Sequence, residues 1–386
     1  MKLLYIGYLG FNNIGDEVCY ESFVQSVNRW STTVEKIIPY DIKKNAGIRH
    51  LLSTESIDAV ILGGGSLFQG DIFLSLAEEA ISLGLPIYSY GTGIDYLTEN
   101  TIDQYRNGEA FEPQTFFNDR RIDTKRIKNV VDALTYTGVR GPLTLQFLKG
   151  LTAHSDSIEI IGDSGLVYTP EIDNYISDNY LMDLKTPIVA VNWGTTFNKL
   201  FGSNEESLEN QLAESCMYLI SKGYHIVIYP MWDKDIESCQ KLYGLINNNK
   251  HVTLIPEVCN SSQVYSFLSK CHFSINIKLH ANILSAAATT PFIQLAYRSK
   301  GFDFALSINQ YDNTIYTHSK ELLKTVMEKE KNFTQYRRKY TKALKKEKET
   351  YIKKHKWMIE NFFNGNEKSE KMLSLKGLRH IINKFL

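Results

Sequence analysis

Short apolar runs that end in glycine-rich or polar turns recur through the first half of the chain, with helical patterns between them. These runs are residues 2–7, 59–62, 86–90, 135–139 and 158–161. A strand that is apolar along its whole length is buried on both faces, as are the strands of a parallel sheet between helices. The alternation of strand, turn and helix therefore predicts a doubly wound α/β sheet.

The same pattern restarts after a polar stretch, with apolar runs at residues 187–192, 224–229, 251–254, 273–277 and 291–295. A chain of 386 residues is too long for one ordinary domain and suits two. We predict two Rossmann-like domains, residues 1–172 and 184–330, followed by a basic helical tail, residues 331–386. Two such domains place the carboxyl ends of their strands across a shared cleft, where open α/β sheets bind ligands.

The charge of the chain is divided unevenly between this tail and the rest. The whole chain has zero formal net charge, yet residues 331–386 contain 16 Lys and Arg against 5 Asp and Glu. A basic tail on an acidic body indicates either an anionic partner, such as a membrane surface or a phosphorylated substrate, or a solvated helix face. Residues 370–386 also read as an amphipathic helix that either lies on a membrane or packs against the body.

The cysteine content and hydropathy of the sequence indicate the compartment. The chain has five cysteines, an odd number, and no CxxC pair, which argues against a disulfide framework or a zinc site. The apolar run at residues 3–6 is short for a signal peptide, and none approaches the ~18 residues of a membrane span. We expect a cytoplasmic protein, peripheral to the inner face of the membrane if the tail binds lipid, with no nucleic acid partner.

Glycine-rich turns follow three of the predicted strands of the first half. The turn at residues 7–17, GYLGFNNIGDE, lies at a helix start, where free N–H groups favour anions, although it lacks the G-x-G-x-x-G dinucleotide spacing. Within it, Asp16 either acts on a ligand or caps the helix. Gly64, Gly65 and Gly93 belong to turns after neighbouring strands, where a missing side chain lets a ligand approach the backbone or simply allows a tight turn.

Cationic side chains follow three other predicted strands. Arg140 ends the run at residues 135–139 and is expected to point into the cleft, where it binds a carboxylate or phosphate, or else forms a structural ion pair. Lys278 and His280 alternate with Leu279 after the run at residues 273–277, so both are expected on one side of a strand end. A cation beside an imidazole suits an anion site with acid–base chemistry.

Further polar and aromatic residues stand at the remaining strand ends. Arg298, Ser299 and Lys300 follow the last apolar run and add two cations and a hydroxyl. Asn192, Trp193 and Trp232 follow two earlier strands, and the chain contains 23 Tyr, a composition that suits sugar binding because ring faces pack on sugar C–H groups. The candidate residues for binding a sugar acceptor are Asn13, Glu17, Gly93, Asn192, Trp193 and Trp232.

The ordered set of motifs resembles the polysaccharide pyruvyl transferase family. The set comprises GxxGxxNIGDE from Gly7, GGGS from Gly63, the GxG turn, Val139-Arg140, GDSG from Gly162 and SxxxKLH from Ser274, and it covers residues 1–305. The resemblance implies a GT-B-like fold, phosphoenolpyruvate as donor, and a sugar of a surface polysaccharide or lipid-linked oligosaccharide as acceptor. The family usually has arginine where Lys278 stands, and lysine keeps the charge but loses the two-pronged hydrogen-bonding group.

The resemblance also implies roles for the residues that match its motifs. His280 is the expected acid–base residue, with Arg140 and Asp16 assisting, and no cofactor or metal is expected beyond phosphoenolpyruvate. The implied donor-binding residues are Lys278, Leu279, Arg140, Arg298, Ser299, Lys300, Gly64 and Gly65. A GT-B glycosyltransferase that uses a nucleotide sugar and a non-catalytic glycan-binding protein remain alternatives, because both keep the same fold.

Overall fold

The structure, a computed structural model, describes residues 1–44, 47–109, 122–152, 155–182 and 184–364. It contains two six-stranded sheets in which all strands run parallel. The strands of the first sheet are β1 (Lys2–Ile6), β2 (Lys36–Pro39), β3 (Ala59–Leu62), β4 (Ile87–Thr92), β5 (Tyr136–Val139) and β6 (Ile158–Ile160). Those of the second are β7 (Ile188–Asn192), β8 (His225–Tyr229), β9 (Val252–Leu254), β10 (Phe273–Asn276), β11 (Phe292–Ala296) and β12 (Thr314–Tyr316).

Helices pack on both faces of the sheets, as the alternating pattern predicts. Those of the first half are α1 (Ile14–Trp30), α2 (Ile48–Leu51), α3 (Asp71–Ser82), α4 (Glu99–Arg106), α5 (Thr124–Ala133) and α6 (Pro142–Lys149). Those that follow are α7 (Tyr175–Tyr180), α8 (Glu205–Ser221), α9 (Ile236–Ile246), α10 (Ser261–Lys270), α11 (Leu279–Ala287), α12 (Ser299–Ser307) and α13 (Leu322–Phe362).

In each sheet the strand order reverses at one point, and glycine-rich or cationic motifs of the chain follow the strands at these points. The first sheet has the order β2-β1-β3-β4-β5-β6, and the second has β12-β11-β10-β7-β8-β9. The order reverses between β1 and β3 in the first and between β7 and β10 in the second, and ligands of such sheets bind outside the strand ends there. The loop after β1, the glycine turn after β3 and the segment after β10 therefore lie where a ligand is expected.

All ten predicted strands are present, and the two that the sequence pattern missed are β2 and β12. Both are edge strands of three or four residues, and Ile315 is the only one of their seven residues that is buried. A strand that is not buried on both faces does not give an apolar run, so the pattern that identified β3 could not identify them.

The helix α13 connects the two halves of the molecule. Its 41 residues contain one non-helical residue, Tyr336. Before this kink, Phe333 packs into the core of the second half, and beyond it Met358, Ile359 and Phe362 pack against the first sheet. The helix begins nine residues before the expected tail, and the predicted amphipathic segment at residues 370–386 lies outside the described residues.

Polar contacts along α13 add to this packing. Lys348 Nζ donates to the carbonyls of Tyr168 and Ala287, each at 2.8 Å, and burial lowers the pKa of Lys348 to about 8. The helix thus provides hydrogen bonds as well as apolar contacts to the rest of the chain. Within the part of the chain that the structure describes, no helix combines the length and the hydropathy that crossing a membrane requires.

Candidate functional site

The loop between β1 and α1 crosses from the first half of the molecule to the second. Ile14 N donates to Met231 O at 3.1 Å, and Trp232 Nε1 donates to Phe11 O at 3.0 Å. Asn12 also donates through its side chain to Asp233. These contacts attach the glycine-rich motif of the first half to the strand exit after β8, so the two halves meet at a fixed junction.

A pocket of about 240 Å³ lies at this junction. Among the described residues, its cationic lining consists of Lys199, Lys278, Arg298 and Lys300, against the single carboxylate of Asp235. Its other side chains include Asn13, Tyr96, Thr195, Phe197, Trp232, Leu279, His280 and Tyr297. The N-termini of α11 and α12 both reach it, because Lys278 and Arg298 are the residues immediately before these helices. The pocket is therefore a strongly positive environment.

Arg298 and Lys300 form the most cationic side of the pocket. Arg298 Nε lies 3.2 Å and Lys300 Nζ lies 3.9 Å from Asp95 Oδ2. Burial alone would raise the pKa of Asp95, but the two cations hold it below its usual value. Burial likewise opposes ionisation of Tyr297, yet the charges of Arg298, Lys300 and Lys278 outweigh it and lower the pKa of this phenol to about 7. The field of these groups stabilises negative charge in the pocket.

Lys278 is held in place by an ion pair and two hydrogen bonds. Its Nζ lies 2.8 Å from Asp235 Oδ1 and donates to Thr195 O at 2.7 Å. Its backbone N donates to Asn192 Oδ1 at 3.0 Å. Burial raises the pKa of Asp235 although Lys278 lowers it. Lys278 is thus positioned by a buried carboxylate and a backbone carbonyl.

His280 contacts two buried side chains that come from distant parts of the sequence. Its Nε2 lies 3.4 Å from Cys19 Sγ and 3.9 Å from Asp163 Oδ2. Gly15 allows this approach, since a Cβ there would lie 2.1 Å from His280 Nδ1. Burial lowers the pKa of His280 to about 4; Asp163 opposes this shift, and Lys300 reinforces it. At neutral pH the imidazole is therefore uncharged.

The expected strand-end alternation of Lys278 and His280 is wrong. The strand β10 ends at Asn276 and α11 begins at Leu279, so Lys278 precedes the helix and His280 lies in its first turn. The helical turn, rather than the two-residue period of a strand, brings Lys278, Leu279 and His280 to one pocket.

Asp16 lies in the first turn of α1, where it accepts a hydrogen bond from Asn13 Nδ2 at 2.6 Å. Asn13, rather than Asp16, caps this helix, because its side chain accepts from Gly15 N at 3.2 Å. Burial raises the pKa of Asp16 to about 7 against the lowering effect of Lys300. Glu17 Oε1 accepts from Gly10 N at 2.7 Å and so holds the loop itself.

Arg140 does not point into the pocket, contrary to the expectation from its strand-end position. Its side chain is fully buried, and its Nε lies 3.3 Å from Asp303 Oδ2. Its other two nitrogens donate to Gly65 O at 3.1 Å and to Ile94 O at 2.9 Å. The structural ion pair, which the sequence left open as an alternative, is the arrangement found.

Several other predicted site residues support the walls of the pocket without lining it. Ser299 is buried, donates to Asp95 Oδ1 at 3.4 Å and accepts from Leu97 N at 3.0 Å. Trp193 is buried and donates to Glu209 Oε1 at 2.9 Å, which places its ring in the core of the second half. Asn192 is likewise buried, and its Nδ2 donates to Tyr229 O at 3.0 Å.

The glycine turns serve mainly close packing. A Cβ on Gly64 would lie 2.4 Å from Cys19 Sγ, and one on Gly93 would lie 2.5 Å from Arg140 Nη2. Gly65 has a φ of +100° and accepts from Gly93 N at 2.9 Å, so it requires glycine for its backbone conformation. Gly65 is also next to Asp16, whose Oδ1 would lie 3.6 Å from a Cβ at this position.

Eight residues that line the pocket, and the cluster around His280, were not among the predicted site residues; the eight are Tyr96, Thr195, Thr196, Phe197, Lys199, Met231, Asp235 and Tyr297. Tyr96 and Tyr297 stand next to the predicted GxG turn and Arg298, while Thr195, Phe197 and Lys199 follow the strand exit at Asn192. The only feature of the sequence that points to these residues is that each lies within a few positions of a predicted site residue. Cys19 and Asp163 lie 144 residues apart, so no local pattern relates them to one another.

Comparisons with known proteins agree with this architecture. The S. aureus MnaA–UDP structure has a TM-score of 0.59 and 12% identity, covering 99% of this chain and 97% of that one. UDP-N-acetylglucosamine 2-epimerase from Neisseria meningitidis, bound to UDP-GlcNAc, has a TM-score of 0.58 and 12% identity, covering 89% and 94%. E. coli ADP-heptose LPS heptosyltransferase II has a TM-score of 0.50 and 13% identity, covering 87% and 99%.

These structures share the GT-B fold, which confirms the predicted fold class, and at such identities they show the fold alone. A search of curated proteins finds no match to the chain. The family model described as polysaccharide pyruvyl transferase matches residues 10–299, which is well over half of the chain and includes the glycine turn after β3 and the segment after β10. The chain therefore belongs to the polysaccharide pyruvyl transferase family.

Proposed function

We propose that the chain transfers the pyruvate unit of phosphoenolpyruvate to a sugar of a surface polysaccharide or lipid-linked oligosaccharide and forms a pyruvate ketal. The observation that carries this proposal is the small pocket in which Lys199, Lys278, Arg298 and Lys300 meet the N-termini of α11 and α12. Phosphoenolpyruvate carries both a carboxylate and a phosphate, so its binding site needs several positive groups.

The donor site in this proposal consists of Arg298, Lys300 and Lys278, which follow the neighbouring strands β10 and β11. Arg298 provides a planar guanidinium beside the Tyr297 hydroxyl, 3.1 Å from its Nη2. Arg140 acts only at long range, since its own nitrogens are occupied. The reaction requires no metal or redox cofactor in this scheme, because acid–base steps and phosphate departure complete it.

The proposed reaction balances with phosphoenolpyruvate and two sugar hydroxyls alone. A proton added to C3 of the donor makes C2 electrophilic, and the first hydroxyl attacks C2. The C2–O bond to phosphate then breaks, and the second hydroxyl attacks C2 and closes the ketal ring. Of the two hydroxyl protons released, one replaces the proton given to C3 and the other leaves with inorganic phosphate.

The pKa values of Asp16 and His280 suit these two residues to different proton transfers. Asp16 is not among the residues that line the pocket, but it accepts a hydrogen bond at 2.6 Å from Asn13, which does line it. With a pKa of about 7, Asp16 still carries a proton in a large fraction of molecules at neutral pH, so we assign it the transfer to C3. His280, with a pKa of about 4, is uncharged there, so one of its ring nitrogens carries a lone pair. We therefore assign His280 to accept the proton of the attacking hydroxyl.

Aromatic side chains at the pocket mouth suit the sugar acceptor. Phe197 is 57% exposed, and its ring lies 6.3 Å from that of Trp232 in an edge-to-face arrangement. Exposed rings of this kind pack on the C–H faces of sugars. Asn13 also lines the pocket and offers a polar side chain to the acceptor hydroxyls.

A nucleotide-sugar glycosyltransferase is the alternative, because structures with the same fold hold UDP or UDP-GlcNAc. The pocket favours the smaller donor. Its volume of about 240 Å³ lies below the ~300–1,000 Å³ that is typical for drug-sized ligands. A three-carbon phosphate suits this space better than a nucleotide diphosphate sugar does.

Phosphate release from phosphoenolpyruvate in the presence of glycan acceptor tests the proposal directly. We expect Arg298→Gln and Lys300→Met each to raise the KM for phosphoenolpyruvate about 10- to 100-fold, because each removes a charge-assisted hydrogen bond worth about 1.5–3 kcal/mol. Lys250→Met, at an exposed position of the second half, is the matched control. Release of nucleoside diphosphate from a sugar donor, without phosphate release from phosphoenolpyruvate, would establish the alternative instead.

The pH profile follows from Asp16 and Tyr297. Both have a pKa of about 7, so kcat/KM for phosphoenolpyruvate is expected to fall as pH rises through this value. Above it, Asp16 has no proton to donate, and ionised Tyr297 places a negative charge beside Arg298. In Tyr297→Phe, kcat should still fall with rising pH because of Asp16. The KM should no longer rise with pH, because no phenolate forms beside Arg298. A profile that stays flat across neutral pH would contradict both assignments.

We further propose that the protein is cytoplasmic and that α13 docks on anionic lipid. The exposed residues Lys331, Arg338, Lys342, Lys345, Lys353 and Lys356 recur at helical spacing and form a basic stripe about 37 Å long, interrupted by Glu349. The opposite face, with Leu344 and Tyr351, packs on the body. Trp357 is 43% exposed beside the stripe and suits a membrane interface.

Vesicle sedimentation tests this docking. Each Lys or Arg near an anionic surface contributes about 1 kcal/mol, so we expect binding to vesicles with anionic lipid and none to zwitterionic vesicles. A charge-reversal variant should lose the binding; its changes are Arg338→Glu, Lys342→Glu and Lys345→Glu. The matched control reverses three exposed lysines elsewhere, Lys125, Lys222 and Lys250. Equal binding by both variants would show that the stripe is only a solvated face.

A further inference from the structure

Three potential metal ligands from separate elements converge behind the pocket. Cys19 comes from α1, Asp163 from the loop after β6, and His280 from the first turn of α11. Cys19 Sγ lies 3.4 Å from His280 Nε2 and 3.5 Å from Asp163 Oδ1, while His280 Nε2 lies 3.9 Å from Asp163 Oδ2. Thiol, imidazole and carboxylate are the three side-chain groups that bind zinc most often.

Asp163 gives independent evidence that this cluster is incomplete. The residue is fully buried, and its Oδ1 accepts from Gly165 N at 3.0 Å. Its Oδ2 has no hydrogen-bond partner among the residues that the structure describes. A buried carboxylate oxygen without a partner is costly and rare in folded proteins. This oxygen is the one that faces His280.

The spacing of the three groups is close to that of a tetrahedral zinc site. With Zn–S near 2.3 Å and Zn–N or Zn–O near 2.0–2.2 Å, neighbouring ligand atoms of a tetrahedron lie about 3.3–3.7 Å apart. The 3.4 Å between Cys19 Sγ and His280 Nε2 has this spacing, and the 3.9 Å between His280 Nε2 and Asp163 Oδ2 exceeds it by a few tenths of an ångström. One ligand atom from each residue can be chosen so that all three lie within 4.8 Å of one another, so a small shift of Asp163 completes the set. We propose that Cys19, Asp163 and His280 bind one Zn²⁺ ion behind the pocket that His280 lines.

Binding converts the Cys19 thiol to a thiolate and releases its proton to solvent. The ion also occupies the Nε2 lone pair of His280. Insofar as the proposed function is correct, His280 can then no longer accept a proton from the acceptor hydroxyl at this nitrogen. Zn²⁺ is therefore an inhibitor of the transfer reaction, and its removal restores activity.

Cobalt titration of the full chain tests the site without reference to catalysis. Tetrahedral Co²⁺ bound by a thiolate gives a near-ultraviolet charge-transfer band, and we expect one equivalent that Zn²⁺ displaces. Cys19→Ala should lose the band and weaken binding at least about 100-fold. Cys216→Ala, which removes another buried free thiol, is the matched control. Asp163→Asn, checked for folding by circular dichroism, provides a second variant and should also bind weakly.

Two results would overturn the proposal: a wild-type protein without the charge-transfer band, or a Cys19→Ala variant that titrates like the wild type. The inhibition is measured separately, as phosphate release from phosphoenolpyruvate with Zn²⁺ and after chelation, relative to the zinc-free rate of each variant. Wild-type protein should be inhibited, and Cys19→Ala should resist. If phosphoenolpyruvate is not turned over at all, the proposed function fails while the cobalt spectrum still decides the site.

Discussion

His280→Ala is expected to lower kcat for phosphate release from phosphoenolpyruvate by about 10²- to 10⁴-fold, the usual contribution of a positioned general base. The reason is that the uncharged imidazole is the group assigned to take the proton of the attacking hydroxyl. Binding of the donor should change much less, because Arg298, Lys300 and Lys278 remain. The measurement is steady-state phosphate release together with phosphoenolpyruvate affinity by calorimetry.

Two controls make the result specific to the imidazole. His50→Ala removes an exposed histidine on α2 and should leave kcat unchanged. His280→Asn keeps a polar side chain at the same place without a titrating nitrogen, and it should be as slow as His280→Ala. A His280→Ala enzyme that turns over at the wild-type rate would exclude His280 as the base and shift attention to Asp16.

The parallel strands could be predicted from the sequence because burial on both faces leaves a continuous apolar run. The strand β3, Ala59–Leu62, is an example in which all four residues are buried. The turns could be located for a related reason, since Gly65 has a backbone conformation that other residues avoid. These signals are local, so a single sequence contains them.

The placement of Arg140 could not be predicted because it depends on a residue far along the chain. The neighbouring sequence does not determine whether an arginine at a strand end points toward a ligand or toward a carboxylate of the protein itself. Asp303, 163 residues later on α12, decides between these two directions. The cluster of Cys19, Asp163 and His280 was missed for the same reason, since its members lie on three elements that meet only in the folded chain.

The pocket itself depends on a contact between the two halves. Trp232 reaches the pocket wall because the loop after β1 crosses to the second half and accepts its hydrogen bond at Phe11 O. Lys278 and His280 both line the pocket, although the strand geometry from which they were predicted to lie together is absent. The sequence therefore indicates the type and approximate position of these pocket residues, but not the direction in which their side chains point.

Arg140→Met is expected to destabilise the protein by about 3–5 kcal/mol, because it leaves the buried carboxylate of Asp303 without its cationic partner. The pair joins β5 and α6 of the first half to α12 of the second, and Asp303 also accepts from Leu143 N and Thr144 Oγ1. Burial already raises the pKa of Asp303, and Arg140 opposes this shift. Removing Arg140 therefore raises the pKa of Asp303 further, so the variant's deficit should grow with pH once the wild-type carboxyl ionises, and level off above the variant's own raised pKa. Urea unfolding at several pH values measures the deficit.

The double variant Arg140→Met/Asp303→Asn distinguishes an unpaired buried charge from lost packing. The asparagine oxygen can still accept from Leu143 N and Thr144 N, while the negative charge is gone, so part of the lost stability should return. Arg338→Met, at an exposed position of α13, should change stability by less than about 0.5 kcal/mol. If Arg140→Met instead unfolds like the wild type but no longer binds phosphoenolpyruvate, Arg140 is a donor ligand whose side chain turns toward the pocket. The structure argues against that outcome, because Asp303, Gly65 O and Ile94 O already occupy all three of its nitrogens.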